Sequence, residues 1–202
     1  MTLEPQTIAV VDDDDGVRKA LARLLRAHGY EVKGYSSADD FLTNGADDAG
    51  CMVLDVQMPG LDGLALQEEM QARDIRLPII FITAHGDVPK SVRAMKRGAV
   101  DFLQKPFDEI DLLRAISIAI ERGDELREHQ AERSAIEGRV QRLTRREYEV
   151  FVRVIKGTLN KRIATELGVT EKTIKAHRAR VMHKMEATSL AHLVRMAERV
   201  GL

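Results

Sequence analysis

The sequence has little of what stabilises secreted proteins or anchors membrane proteins. Cys51 is the single cysteine among 202 residues, which excludes an internal disulfide and a cysteine-based zinc site. Tryptophan is absent, and no apolar run approaches the roughly 18 residues of a membrane helix. Residues 1–12 lack the basic start and apolar stretch of a signal peptide. We therefore expect a cytoplasmic protein without membrane contact, in which Cys51 is a small buried apolar side chain.

The charged residues are divided unevenly along the chain, although the formal net charge is only −1. Residues 1–120 carry 20 acidic and 13 basic side chains, whereas residues 121–202 carry 12 acidic and 18 basic. This asymmetry indicates different partners for the two ends. A compact basic segment joined to an acidic one is typical of a chain in which only one end approaches nucleic acid.

Residues 7–121 alternate short β-rich apolar runs with longer amphipathic stretches. The predicted strands lie at 7–11, 32–35, 51–55, 78–83 and 101–104. The predicted helices lie near 16–28, 37–44, 62–72, 88–97 and 108–121. Five strands that alternate with five helices predict an α/β domain with a doubly wound parallel sheet of the flavodoxin-like type, because each crossover must return over the sheet. We place this first domain at residues 5–121.

The rest of the chain has no strand pattern. Residues 122–142 are charged with few apolar positions, so they predict a linker whose helicity the sequence leaves open. From residue 143 onward the pattern is helical, and Thr144 and Glu147 fit a capping box. The helices are predicted at 145–156, 160–167, 171–184 and 189–199. We therefore expect a small all-α four-helix domain at residues 143–202, in which the turn at Gly168 gives helix-turn-helix spacing.

Polar residues follow the strands of the predicted sheet. Open parallel sheets bind their ligands at these carboxyl ends of the strands. These residues are Asp12 and Asp13 after the first strand, Asp55 at the third, Thr83 at the fourth and Lys105 after the fifth. A carboxylate that follows four apolar residues, as Asp55 does, is partly desolvated and needs a cation. Ligands that are all oxygen favour Mg²⁺. A carboxylate with a lysine charge and a hydroxyl donor beside it predicts an acceptor of a phosphoryl group.

Four motifs at these strand ends resemble the receiver domains of response regulators. They are VVDDD at 10–14, LDVQMPGLDG at 54–63, TAHG at 83–86 and KPF at 105–107. The resemblance implies that a partner histidine kinase phosphorylates Asp55 while Mg²⁺ is bound. It also implies a cis Lys105–Pro106 bond. The implied site residues are the metal ligands Asp13, Asp12, Asp55 and the backbone carbonyl of Gln57, the switch pair Thr83 and Phe102, and the phosphoryl contact Lys105.

Two other interpretations stay open. Residues 13–17, DDDGV, also fit the signature of haloacid-dehalogenase-like phosphatases, an enzyme class that would leave Asp55 without a role. The second alternative is a receiver-like domain that regulates DNA binding without phosphorylation. A G-x-x-x-x-G-K-[ST] segment is absent, which excludes an ATP-driven activator of the P-loop kind. We favour a regulator that is not an enzyme.

The predicted helix 171–184 has one apolar face and one cationic face. At about 100° per residue, Ile174, Val181 and Met185 fall together on the inward side. The opposite side has small residues at its centre, Ala176 and Ala179, with lysine and arginine at its margins. A helix of this kind can enter the major groove while its cations reach phosphates.

This helix and the one before it resemble the LuxR-type DNA-binding domain, and the whole chain resembles FixJ-type response regulators. The shared segments are NKRIA at 160–164, LGV at 167–169, TIKAHR at 173–178 and KM at 184–185. The resemblance implies a transcription regulator that dimerises on phosphorylation, binds double-stranded DNA and contacts RNA polymerase. The implied DNA contacts are base-facing Lys175, Ala176 and Ala179, backbone-positioning Asn160, Lys161, Thr173 and Arg180, and Lys172 on the outward face.

Overall fold

The computed structural model describes residues 6–45, 48–84 and 88–202 of the chain, which forms two compact units, Met1–Arg127 and Glu128–Leu202. The predicted limit of the first domain at residue 5 lies outside the described residues, as do His85 and Gly86 of the third motif. Within the described part of the chain, no helix is both long and apolar enough to cross a membrane.

The first unit contains a five-stranded parallel sheet with the order β2-β1-β3-β4-β5. Its strands are β1 (Thr7–Val11), β2 (Glu31–Tyr35), β3 (Ala49–Asp55), β4 (Ile79–Thr83) and β5 (Asp101–Gln104). Its helices are α1 (Asp15–Ala27), α2 (Ala38–Asn44), α3 (Gly63–Ala72), α4 (Val88–Lys96) and the part of α5 (Glu109–Gln141) up to Arg127. The predicted doubly wound sheet is confirmed. The strand order reverses at β1 and β3, so the topological switch point lies at the carboxyl ends of these two strands.

Side chains of the central strands alternate between two apolar layers, one on each face of the sheet. Leu54 and Phe81 belong to the layer that is covered by α2, α3 and α4. Cys51 and Val53 belong to the layer that is covered by α1 and α5. All four are fully buried, as continuously apolar runs in a strand covered on both faces predict. Cys51 is thus the buried apolar residue that we expected, and burial raises the pKa of its thiol to about 12.

The helix α5 extends through the segment that we predicted as a linker. Residues 122–141 are helical, so the helix does not end near residue 121. Gly123 suits this helix because it packs where no side chain fits, and a Cβ there would lie 2.4 Å from the carbonyl oxygen of Gly50. Farther along, Arg133 and Glu137 form an ion pair of 2.9 Å one turn apart. Such local pairs support the exposed side of this helix, whose Ile136 is buried in the apolar core of the second unit.

The second unit packs four further helices around an apolar core, which confirms the predicted small helical domain. They are α6 (Arg145–Ile155), α7 (Asn160–Leu167), α8 (Glu171–Lys184) and α9 (Leu190–Arg199). Gly168 ends α7 with a φ of 65°, in the left-handed region that glycine adopts without strain. The hydroxyl of Thr170 then accepts the backbone N–H of Thr173 at 3.2 Å and caps α8. These two signals produce the turn between α7 and α8.

The capping box at the start of α6 includes a buried carboxylate, Glu147. Its Oε2 accepts a hydrogen bond from Nζ of Lys184 at 2.6 Å and from the backbone N–H of Thr144 at 2.9 Å. The same Nζ donates to the carbonyl oxygen of Arg142 at 3.1 Å. These donors lower the pKa of Glu147 to about 2, with the Lys184 contact as the largest cause. The contact joins the first turn of α6 to the last residue of α8.

Candidate functional site

Three aspartates meet at the carboxyl ends of β1 and β3. Asp12 and Asp13 directly follow β1, and Asp55 is the last residue of the neighbouring strand β3. One carboxylate oxygen from each of them lies within 4.8 Å of the others. Asp12 is fully buried and Asp55 is 7% exposed, whereas Asp13 is open to solvent. The fold thus brings the predicted acidic residues together in the crevice where open parallel sheets bind ligands.

Lys105 contributes a cation to this cluster. Its Nζ lies 2.8 Å from Oδ2 of Asp12 and 3.6 Å from Oδ1 of Asp55. Asp12 is held further by the backbone N–H of Asp14, which donates to its Oδ1 at 2.8 Å. Arg18, which no motif singled out, donates from α1 to the backbone carbonyl of Asp12 at 2.7 Å. These hydrogen bonds hold the side chain and backbone of Asp12 in place. Lys105 lies close to the carboxylates of both Asp12 and Asp55.

Asp55 is the least satisfied member of the cluster. Its Oδ1 is buried and has no hydrogen-bond partner within the described part of the chain. Burial raises the pKa of this carboxyl and Asp12 raises it further, while Lys105 and the backbone N–H of Gln57 oppose the shift. A buried anionic oxygen without a donor is costly, so the position fits a cation. The donors are all oxygen and Asp13 is open to water, which suits Mg²⁺.

The remaining residues implied by the receiver resemblance lie on or beside the same end of the sheet. Thr83 is the last residue of β4 and is buried. Phe102 lies on β5 and packs half-buried against the apolar layer under α4. Gln57 lies in the loop after β3 with an exposed side chain. The bond between Lys105 and Pro106 is cis, as the resemblance implied.

In the second unit, the face of α8 opposite the core is exposed. The predicted inward residues Ile174, Val181 and Met185 are fully buried. The predicted outward residues are all exposed, namely Lys172, Lys175, Ala176, Ala179 and Arg180. The helix therefore presents a surface of small side chains with cations at its margins, which is the shape and charge that the major groove accepts.

Two further predicted DNA contacts lie at the start of α7. Lys161 is exposed, whereas Asn160 is half-buried and its Oδ1 accepts a hydrogen bond from Nη1 of Arg178 at 3.1 Å. Thr173 is half-buried, with its hydroxyl 2.9 Å from that of Thr170. No role for Arg178 was evident from the sequence, because its contact depends on how α7 crosses α8 and not on the pattern of either helix.

A parallel α/β domain with an acidic pocket, followed by a helix-turn-helix domain, defines a response regulator of the DNA-binding class. Residues 8–117 match the family model described as response regulator receiver domain, and residues 141–197 match that of the bacterial regulatory proteins of the luxR family. The chain belongs to the response regulators that join these two domains. Receiver domains bind Mg²⁺ at an acidic pocket, and the aspartate cluster has that character.

Among characterised proteins, the chain is similar to several transcription regulators along nearly its whole length. It is 46% identical over 196 residues to nodulation protein W of Bradyrhizobium diazoefficiens, covering 96% of this chain and 86% of that protein. It is 44% identical over 200 residues to the transcriptional regulatory protein FixJ of Azorhizobium caulinodans, covering 98% and 95%. A solved structure of the response regulator StyR has a TM-score of 0.82 at 45% identity, covering 96% and 99%. The resemblance to FixJ-type two-component regulators is therefore confirmed.

Proposed function

We propose that Asp55 accepts a phosphoryl group from a partner histidine kinase. The observation that carries this proposal is the buried Oδ1 of Asp55, which has no hydrogen-bond partner within the described part of the chain, while two other carboxylates lie beside it and the Lys105 ammonium is 3.6 Å away. An ionised carboxylate can act as a nucleophile toward phosphorus. The Nζ of Lys105, 3.6 Å away, can place its charge on a phosphoryl oxygen, and the hydroxyl of Thr83 can donate to another.

The acidic pocket supports a bound Mg²⁺ held by the side chains of Asp12, Asp13 and Asp55 and by the backbone carbonyl of Gln57. When bound, the ion would offset the repulsion among the carboxylates and the charge of the incoming phosphoryl group. Asp13 is exposed and thereby leaves room for the water ligands that Mg²⁺ keeps. Asp12 already accepts from Lys105 at 2.8 Å, so we assign the principal side-chain contact to Asp13.

Phosphorylation then biases a two-state face around residues 88–121. The new charge on Asp55 draws the hydroxyl of Thr83 and the ammonium of Lys105 toward it. The ring of Phe102, now half-buried, turns into the space that Thr83 vacates. A ligand group shifts such an equilibrium only through contacts that differ between the two states, and these three side chains supply them. The proposed outcome is a homodimer or the release of the DNA-binding domain.

The second unit binds double-stranded DNA with α8 in the major groove. A dimer would match a pseudo-palindromic site whose halves lie one DNA turn apart. Alanine can contact a thymine methyl group but cannot read guanine by hydrogen bonds. The assigned contacts are Lys175, Ala176 and Ala179 to base edges, Asn160, Lys161, Thr173 and Arg180 to the DNA backbone, and Lys172 on the outward face. We infer a cytoplasmic transcription regulator that also contacts RNA polymerase and is not an enzyme.

The domain limits stay those of the sequence analysis. We assign residues 5–121 to the receiver, 122–142 to the linker, and 143–202 to the DNA-binding domain. The family matches at 8–117 and 141–197 support these limits, since both fall within or close to them. The helical structure of residues 122–141 makes the linker a continuation of α5.

The phosphorylated residue can be identified directly. Wild type and Asp55→Asn are incubated with Mg²⁺ and acetyl phosphate, and the modified peptide is found by mass spectrometry. We expect label on the peptide that contains Asp55 in wild type and none in the variant. Label at Asp13 would support the phosphatase alternative, although its second aspartate, Asp15, is engaged with Lys19 at 2.7 Å. A wild type that takes no label, with unchanged DNA affinity, would support regulation without phosphorylation.

A further inference from the structure

We propose that Arg178 is a positioning residue for DNA binding, which holds Asn160 so that the amide NH₂ of Asn160 faces a DNA phosphate. This inference rests on the proposed DNA-binding function and adds to it a residue that acts indirectly. Arg178 would not touch DNA itself. It would affect the affinity for DNA only by orienting the side chain of Asn160.

The chemistry of the contact decides which way the Asn160 amide faces. Nη1 of Arg178 lies 3.1 Å from Oδ1 of Asn160, and a guanidinium group offers only donors. The amide oxygen must therefore face the arginine, so the NH₂ group points away from it. An NH₂ group donates to phosphate oxygens, whereas an amide oxygen turned toward a phosphate would repel it. Without Arg178, nothing in this contact would favour the donating orientation over the flipped one.

The position of Arg178 on α8 separates it from the outward face. At about 100° per residue, Arg178 lies about 40° from the buried Ile174, whereas Ala176 at the outward centre lies about 160° from it. Both Arg178 and Asn160 are half-buried. They line a shallow groove at the start of α7 together with Lys161. The guanidinium therefore faces α7, and Asn160 and Lys161 are the neighbouring side chains that can share one phosphate.

The salt dependence of binding separates a positioning role from a direct contact. A cation that neutralises a phosphate releases counterions and contributes about 0.9 to the slope of log affinity against log salt. A neutral amide donor contributes nothing to that slope. Loss of Arg178 should therefore weaken binding at every salt concentration and lower the slope by much less than about 0.9. Loss of an arginine that contacts phosphate directly should lower the slope.

The test uses the full chain and a fluorescein-labelled duplex of random sequence, because contacts to the DNA backbone do not depend on sequence. Affinity is measured across a potassium chloride series for wild type, Asn160→Ala, Arg178→Met and the double variant. Arg180→Met serves as the control for direct phosphate contact on the same helix. We expect each of the first two substitutions to weaken binding about tenfold. The double variant should also lose about tenfold, since the two residues act as one unit.

Three results would overturn the inference. A loss of about a hundredfold in the double variant would show that the two residues act independently. A slope for Arg178→Met that falls by about 0.9, as expected for Arg180→Met, would make Arg178 a phosphate contact. An unshifted side-chain NH₂ signal of Asn160 in the nitrogen–proton correlation spectrum of Arg178→Met, recorded without DNA, would show that the orienting contact does not exist. A wild type that does not bind the duplex would instead refute the DNA-binding function itself.

A conservative variant keeps the test decisive if Arg178→Met does not fold. Arg178→Lys retains a cationic donor, and the described residues offer one side-chain hydrogen bond of Arg178 to replace, from Nη1 to Asn160. We expect this variant to retain the wild-type Asn160 signal and most of the affinity. A folded Arg178→Lys protein that has the wild-type Asn160 signal but binds as weakly as Asn160→Ala would refute the positioning role.

Discussion

The buried carboxylate of Glu147 offers the sharpest test of how the second unit is held together. Glu147→Gln removes the charge but keeps the size of the side chain and an oxygen that can accept the backbone N–H of Thr144. What it loses is the charge-assisted bond from Lys184, which is 2.6 Å long and joins α6 to α8. The ammonium of Lys184 would keep the carbonyl oxygen of Arg142 as an acceptor, but it would no longer face an anion at position 147.

The expected loss is about 2 kcal/mol in the free energy of unfolding of the second unit. Breaking a fully buried ion pair by removing one partner costs about 3–5 kcal/mol, and a hydrogen bond to a charged group is worth about 1.5–3 kcal/mol. The Lys184 side chain is 32% exposed while that of Glu147 is 4% exposed, so water can partly solvate the remaining cation. Because of this exposure, we expect the loss of stability to fall within the lower range, about 1.5–3 kcal/mol.

Hydrogen exchange read by mass spectrometry can assign the effect to the correct unit. Peptides from α6 and α8 should exchange faster in Glu147→Gln, and peptides from β1 and β3 should not change. Glu149→Gln is the matched control on the same helix, where the carboxylate is 31% exposed and pairs with Arg146 at 2.8 Å. Its effect should be smaller because water screens this half-buried pair more than it screens the buried carboxylate of Glu147.

The pH dependence provides a second check with a definite sign. Folding lowers the pKa of Glu147 from 4.5 to about 2, so its contribution is fully present above about pH 4.5 and disappears as the pH falls toward 2. The stability difference between wild type and Glu147→Gln should shrink across that window. A difference that stays constant down to pH 2, or a Glu149→Gln effect as large as that of Glu147→Gln, would refute the reasoning.

Two further predictions concern α5 and α8. Gly123→Ala should destabilise the first unit by about 1–3 kcal/mol, because its Cβ would lie 2.4 Å from the carbonyl oxygen of Gly50. Gly138→Ala, where nothing lies within 4 Å of the new Cβ, should stabilise the chain by about 0.5–1 kcal/mol, and equal shifts in thermal midpoint would contradict the packing argument. Lys175→Ala should weaken binding to duplex DNA. An unchanged gel shift would contradict the placement of α8 in the major groove.

Most of the fold and the acidic cluster could be predicted because their signals are local. Continuous apolar runs such as 51–54 mark buried strands, and parallel strands necessarily bring their carboxyl ends to one edge of the sheet. The meeting of Asp12 with Asp55 follows from that topology alone. The faces of α8 were equally predictable, because Ile174 and Val181 repeat at helical spacing.

Features that depend on contacts between distant segments could not be predicted. The continuation of α5 was not evident, since Gly123 resembles a helix breaker until its packing against Gly50 is known. The bond between Arg178 and Asn160 depends on the crossing of two helices, which neither helix pattern contains. The absence of a hydrogen-bond partner for Oδ1 of Asp55 within the described part of the chain likewise required the positions of all its neighbours.

The burial of Cys51 has a practical consequence for labelling. Maleimides and mild oxidants react with the thiolate, and this thiol is fully enclosed with a pKa of about 12. Cys51 should thus be unreactive toward such reagents while the chain is folded. A cysteine introduced on a solvent-facing helix could then carry a fluorophore or spin probe as the sole reporter, with no substitution in the sheet.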